Sequence, residues 1–282
     1  MDFVALVSGG KDSIFSMMDA ISHGYQLKAL IHLAPKGSES GTEERDSYMY
    51  QSVASEGVEL LSRALNVPLI YRTITGKSVC QRMNYITQSE DEVEDLCYAV
   101  SEAIDRFPTI KFICSGAILS DYQRIRVEHV ASRLGIGTLA FLWRRSQVSL
   151  LNEMVCSGLD AIIVKVASSG LEIKRHLGHH ISDLQSQLVQ LTGPPWYLNA
   201  CGEGGEYETF TLDCPLFEQR IVQRSPAELV IHSDDESYPV AYLRLNNLAL
   251  EVIHFCCTHP CPGPVSICIE NRIICFVWAV RD

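Results

Sequence analysis

Apolar positions in the first half of the chain alternate between two periods. Phe3 to Val7 is an unbroken apolar run of strand length, and Ile14 to Ile21 spaces its apolar residues for a helix. The pattern recurs. Gln26 to Leu33 predicts a second strand, Tyr50 to Leu65 a helix on Val53, Val58, Leu60, Leu61 and Leu65, and Val67 to Thr73 a third strand. Glu90 to Asp105 predicts a helix whose leading acids suit the positive end of its dipole. Ile110 to Cys114, Ser120 to Leu134 and Thr138 to Leu142 predict strand, helix and strand. Ala34 to Glu44, rich in Pro, Gly and Ser, reads as a loop, and Gly76 to Gln88 as a polar, irregular and mobile one. Strands alternating with helices predict an α/β fold, a doubly wound and mostly parallel sheet with right-handed crossovers. Ligands of such sheets lie outside the carboxyl ends of the strands, so the loops after the first, second and fourth strands should converge on one.

Near Arg145 the pattern changes. Val148 to Cys156 and His179 to Leu191 predict helices, the second ended by Gly193-Pro194-Pro195. Ala161 to Val166, Tyr207 to Leu212, Glu228 to His232 and Val240 to Leu245 predict strands. This gives a first α/β region over 1–145, a smaller α+β region over 146–245, and a tail over 246–282. The chain has 282 residues, 47% of them hydrophobic and 20% charged, which is the make-up of a globular protein with a full core. A net charge of -11 argues against a general nucleic-acid binder. The first apolar run is strand-sized and no run approaches membrane-spanning length, so a cytoplasmic protein with no membrane partner is expected. Its eleven cysteines should then be mostly reduced; they form no C-x-x-C pair, and five lie between Cys256 and Cys275.

Three stretches carry candidate chemistry. Ser8-Gly9-Gly10-Lys11-Asp12-Ser13 joins the first strand to the first helix. Its glycines let the backbone turn sharply, and N–H groups at the positive helix end favour an anion. Lys11 adds a charge, Ser8 and Ser13 add hydroxyls, and Asp12 fits beside phosphate only as a helix cap or a metal ligand. The spacing is not that of a Walker loop. The second stretch, Ser115-Gly116 to Arg126, is another strand-to-helix turn at the same sheet edge. Ser115, Gly116 and Asp121 lie at the turn, and Arg124 and Arg126 one turn inside can meet phosphate or carboxylate in bidentate fashion; an ordinary capped helix with solvated arginines fits equally. The third is Cys201-Gly202-Glu203-Gly204-Gly205-Glu206-Tyr207-Glu208-Thr209-Phe210. If extended, it puts Glu206 and Glu208 on one face, where paired carboxylates suit magnesium or a cationic substrate. Cys256-Cys257-Thr258-His259-Pro260-Cys261 packs its ligands too tightly for a usual zinc site, and Asp91, Glu92, Glu94 and Asp95 read as a solvated helix face.

S-G-G-K-D-S resembles the pyrophosphate loop of the N-type ATP pyrophosphatases, with the adenine nucleotide α-hydrolase-like fold. Together with G-A-I-L-S-D-Y-Q-R-I-R-V-E at 116–128 and G-E-G-G-E-Y-E-T-F at 202–210, it is similar to the diphthine–ammonia ligases over roughly Met1 to Leu245. D-S-Y-M-Y-Q at 46–51 and T-L-D-C-P-L-F at 211–217 fit the same family. The resemblance implies amidation of diphthine on a histidine of translation elongation factor 2, with ATP and Mg2+, ammonia as nitrogen donor, and AMP and pyrophosphate as products. On that reading Ser8, Gly9, Gly10, Lys11, Asp12, Ser13, Ser115, Gly116, Asp121 and Arg124 hold the nucleotide. Lys11, Asp12, Glu206 and Glu208 serve catalysis, and Glu203, Tyr207 and Arg126 the substrate. Position 2 is Asp2, which leaves no N-terminal cysteine glutaminase and favours free ammonia. The tail after Leu245 departs from the family's motifs. A tRNA-modifying ATP pyrophosphatase would want basic patches and paired cysteines, and a nucleotide sensor would not need the 202–210 element.

Overall fold

The computed structural model describes residues 1–34, 57–83, 85–235 and 237–252, and the backbone of 266–269 and 272–275. The expected loop beyond Ala34, the first turns of the helix from Tyr50, the 46–51 motif and Cys256–Cys261 lie outside the described residues. In chain order the elements are β1 (Asp2–Leu6), α1 (Lys11–Ser22), β2 (Gln26–Ala34), α2 (Val58–Leu65), β3 (Leu69–Thr73), α3 (Glu92–Arg106), β4 (Ile110–Cys114), α4 (Asp121–Arg133) and β5 (Gly137–Leu139). There follow α5 (Gln147–Cys156), β6 (Asp160–Ala167), α6 (Ile173–His176), α7 (Ile181–Gln190), β7 (Tyr207–Asp213), β8 (Gln219–Gln223), β9 (Glu228–Ser233), β10 (Val240–Arg244), β11 (Leu248–Val252), β12 (Ser266–Ile269) and β13 (Arg272–Cys275).

The first nine elements build the α/β fold the periodicity predicts. Five strands pair in the order β3-β2-β1-β4-β5, every ladder parallel. The connectivity reverses beside β1, so the loops leaving β1 and β4 part on either side of a crevice, the usual ligand position in such sheets. Phe3, Val4 and Ala5 are fully buried because helices cover both faces of the sheet. One face packs against α3 and α4 through Val4, Ile31, Leu96, Val100 and Val130. The other packs against α1 and α2 through Phe3, Ala5, Met17 and Leu61, and this core runs on into Ile163, Val164 and Phe210 of the second sheet. That sheet is antiparallel, in the order β7-β6-β10-β9.

Several expectations change. The fifth strand stops at Leu139 because a turn follows at once, with the Arg144 N–H bonding back to the Ile118 carbonyl. Within the expected loop from Gly76 to Gln88, Gly76 to Cys80 is pinned down rather than loose. Asp95 accepts from the Thr75 and Gly76 N–H groups and the Thr75 hydroxyl at 2.8–3.0 Å, and Asp91 caps α3 and takes the Cys80 N–H at 2.8 Å. Asp91, Glu92 and Asp95 are therefore buried, not a solvated face. The tail does not begin at Leu245 as structure: Leu248–Val252 pairs antiparallel with β8.

Candidate active site

The turn that leaves β1 is shaped by its neighbours from β7. Gly9 has φ +96°, and a Cβ there would stand 3.1 Å from the Phe210 ring, so both conformation and space require glycine. The Gly9 carbonyl accepts the Thr211 N–H at 2.9 Å, and the Lys11 N–H donates to Thr209 Oγ1 at 3.0 Å. The first turn of α1 is thus tied to the start of β7 along adjacent residues. Gly116 sits on the other side: a Cβ on it would come within 2.8 Å of the Asp12–Ser13 peptide. Glycine at 116 is what lets the turn after β4 close against the turn after β1.

These turns wall a cavity of ≈ 450 Å³, the size of a small-molecule site. Ser8, Lys11, Asp12 and Ser13 line it from the first turn, and Ser115, Gly116, Ala117, Ser120 and Gln123 from the second. Gly202 to Gly205, Tyr207, Glu208 and Thr209 close it from the second sheet, with His32 and Leu33 at the end of β2. Lys11 is 1% exposed. Its Nζ donates to Asp12 Oδ2 at 2.9 Å and to the Cys201 carbonyl, and stands 5.0 Å from the centre of the Tyr207 ring. Burial works against the ammonium, but Asp12, Tyr207 and Cys201 outweigh it and hold its pKa above the ordinary lysine value, so it carries its charge at neutral pH. Burial pushes Asp12 upward, against the pull of Lys11. Its Oδ1 is buried with no hydrogen-bond partner among the described residues. The Tyr207 hydroxyl, raised by burial, donates to the Ala200 carbonyl at 2.6 Å, and burial pushes the Cys201 thiol up to about 12.

Glu203 spans the two halves. Its Oε1 accepts the N–H groups of Ile118, Leu119 and Ser120 at 3.0, 2.9 and 3.1 Å. The anion-friendly start of α4 expected from the sequence is real, and a carboxylate of this same chain sits on it. Burial raises the Glu203 pKa despite those three donors, and the nearby Asp12 charge adds to the rise.

The structure does not bring every expected residue to the cavity. Ser8, Lys11, Asp12, Ser13, Ser115, Gly116, Glu203, Tyr207 and Glu208 line it, while Gly9 and Gly10 shape the turn behind it. Arg124 lies outside the cavity lining: it pairs with Asp121 and Glu128 at 2.8 and 2.7 Å and stacks 4.8 Å from the Trp143 ring, and Asp121 pairs with it outside the lining as well. Arg126 is fully buried away from the cavity, donating to the Tyr122, Cys80 and Arg82 carbonyls between the rings of Tyr122 and Tyr85. Glu206 and Glu208 do not share a role. Glu208 lies in the wall, 3.4 Å from Lys165 Nζ. The Glu206 carboxylate turns back to accept from the Asn199 N–H, the Asn199 amide and the Gly204 N–H at 2.7–3.1 Å, closing the turn that precedes β7. Strand alternation begins only at Tyr207, so the shared-face argument fails one residue too early. Thr209 and Cys201 lay inside a motif already singled out and were missed because their contacts are to the backbone and side chain of Lys11. His32 gave no periodic signal.

Among the described residues no group of three or more His, Cys, Asp or Glu side chains is placed to hold a metal by itself, and no helix is long and apolar enough to cross a membrane. Residues 1–138 match the family model described as the diphthamide synthase N-terminal domain, and 146–234 the diphthamide synthase C-terminal domain. The diphthine–ammonia ligase of Homo sapiens is 47% identical over 251 residues, covering 89% of this chain and 93% of that one. That of Danio rerio is 46% identical over 251 residues, covering 89% and 97%. The ligase of Schizosaccharomyces pombe is 44% identical over 245 residues, covering 87% of this chain and 39% of its own length. With both family regions matched in order and the cavity formed where they meet, the chain belongs to the diphthamide synthase family.

Proposed function

We propose that the protein is an ATP-dependent ligase that forms a carbon–nitrogen bond, joining ammonia to the carboxylate of diphthine on elongation factor 2 in the cytoplasm. The carboxylate oxygen attacks the α phosphorus of ATP, and the bond from that phosphorus to pyrophosphate breaks. Ammonia then attacks the acyl carbon, and AMP leaves with the former carboxylate oxygen. The observation that carries this reading is the buried Lys11 charge, held at the start of α1 by Asp12, Cys201 and Thr209. A fixed cation and a helix start at the sheet's switch point suit the negative charge that builds on the departing pyrophosphate.

The other side chains take subordinate parts. Tyr207 packs under the Lys11 ammonium and limits where it can reach. Ser8, Ser13 and Ser115 offer hydroxyls along the wall. Glu208, beside Lys165, puts a carboxylate where it can meet the trimethylammonium group of diphthine. Asp12 fits Mg2+, since Oδ1 is buried and unpartnered and a hard dication prefers such an oxygen; a bound Mg2+ would offset phosphate charge. The test is product analysis with diphthine-bearing elongation factor 2, ATP, Mg2+ and ammonia. AMP and pyrophosphate should appear in step with the amide, and ADP with inorganic phosphate would refute the reading.

A further inference from the structure

His32 stands near the carboxyl end of β2, next to the strand that feeds the Lys11 turn. It is 1% exposed and forms part of the cavity wall. Its Nδ1 lies 2.8 Å from the Val7 carbonyl, the last peptide before Ser8. A carbonyl only accepts, so Nδ1 carries the proton and donates. In the neutral ring that leaves Nε2 as a lone-pair acceptor. Nε2 is buried and has no hydrogen-bond partner among the described residues. The ring is held in place, 5.6 Å from the Tyr71 ring on the neighbouring strand, and burial lowers its pKa so that it stays neutral at physiological pH.

A buried acceptor left unpaired is costly, and it becomes useful when a ligand supplies the donor. The opposite side of the cavity, toward Lys11, is the side suited to phosphate. Around this one acceptor the wall also takes in Ile31 and Leu33 of β2 and Val127 of α4, apolar residues that suit a nucleoside rather than a charged group. Resting on the assignment of this cavity to ATP, we propose that His32 is a specificity-determining residue, whose Nε2 accepts a hydrogen bond from a donor on the nucleoside. The donor is either the exocyclic amine of adenine or the ribose 2′-hydroxyl. An acceptor fixed by a tautomer rejects a group that can only accept, since two lone pairs would then face each other without a proton.

The experiment measures equilibrium binding of three nucleotides to the full chain: ATP, 2′-deoxy-ATP, and purine riboside triphosphate, which lacks the exocyclic amine. It compares the wild type with His32→Phe and His32→Gln. His32→Phe keeps the ring but has no acceptor, and His32→Gln restores an oxygen near the Nε2 position. His32→Phe should weaken ATP binding by about three- to tenfold, the scale of one neutral hydrogen bond. The analogue that lacks the donor should bind wild type and His32→Phe alike, which identifies the amine or the hydroxyl as the source. His32→Gln should recover most of the loss, with a melting temperature no higher than that of His32→Phe. The proposal is overturned if His32→Phe binds ATP as the wild type does. It is also overturned if both analogues lose the same factor as ATP, because the effect then runs through the Val7 contact. A wild type that binds none of the three removes the ATP assignment itself, a failure seen before any variant is compared.

Discussion

Glu203 is the clearest place to test how the two halves are joined. Glu203→Ala would remove the acceptor of three N–H groups at the start of α4, bonded at 2.9–3.1 Å. Those groups are only partly buried, so water recovers some of the loss, and the three bonds share one oxygen. A cost of about 1.5–3 kcal/mol is expected, on the scale of hydrogen bonds to a charged group. For a chain of this size that lowers the melting temperature by roughly 3–10 °C. Glu203→Gln behaves differently. Its amide oxygen can keep all three bonds while a half-buried charge that Asp12 repels is removed, so its stability at neutral pH should equal or exceed that of the wild type. The pH dependence follows from the raised pKa. The folded state holds the Glu203 proton more tightly than the unfolded chain, so this residue's contribution is complete below the ordinary value of 4.5 and is lost as pH rises through the folded value. Any advantage of Glu203→Gln over the wild type should therefore shrink as pH falls toward 4.5. Thermal unfolding across pH measures all of this. Glu203→Ala melting with the wild type, or Glu203→Gln melting as low as Glu203→Ala at neutral pH, would show that Glu203 does not hold the start of α4.

Four further outcomes are expected. Lys11→Ala should lower the amidation rate by about 10²-fold or more, the scale of losing a fixed donor to developing charge, and a loss below about threefold would put Lys11 outside the reaction. Gly116→Ala should cost activity, because the new Cβ meets the Asp12–Ser13 peptide at 2.8 Å in the cavity wall; steady-state kinetics beside a melting curve checks it. Glu206→Ala should lower stability by about 1–3 kcal/mol by opening the turn held through Asn199 and Gly204, with the loss of rate following the loss of fold in parallel denaturation and rate measurements. Truncation after Leu245 should destabilise the protein because it strips β11 from β8; circular dichroism of the shortened chain decides it.

The parallel sheet was legible because buried strands such as Phe3–Val7 and Ile110–Cys114 are nearly continuous apolar runs, each followed by helical spacing. β8 and β11 escaped notice for the opposite reason. Gln219-Arg220-Ile221-Val222-Gln223 is mostly polar, and Arg220 donates to Glu251 on the partner strand, a pairing no local pattern contains. The site was half legible. Adjacent glycines and a lysine at a strand end announce an anion site on their own. What the arginines do was not readable, since one turn of α4 carries Arg124 to solvent-side acids and Arg126 into the carbonyls of the 80–82 segment. Glu206 was misplaced by a single residue of strand register, and the Glu203 contact joins positions more than eighty residues apart.

On the proposed function, the cavity around Lys11 brings a substrate carboxylate to the α phosphorus of ATP. The most direct measurement uses diphthine labelled with ¹⁸O in its carboxylate, followed through one turnover with ATP and ammonia. Label should appear in the phosphate of AMP, because the oxygen that attacked phosphorus leaves with it when ammonia displaces the adenylate. Label in inorganic phosphate alongside ADP, or amide formed with none in AMP, would contradict it.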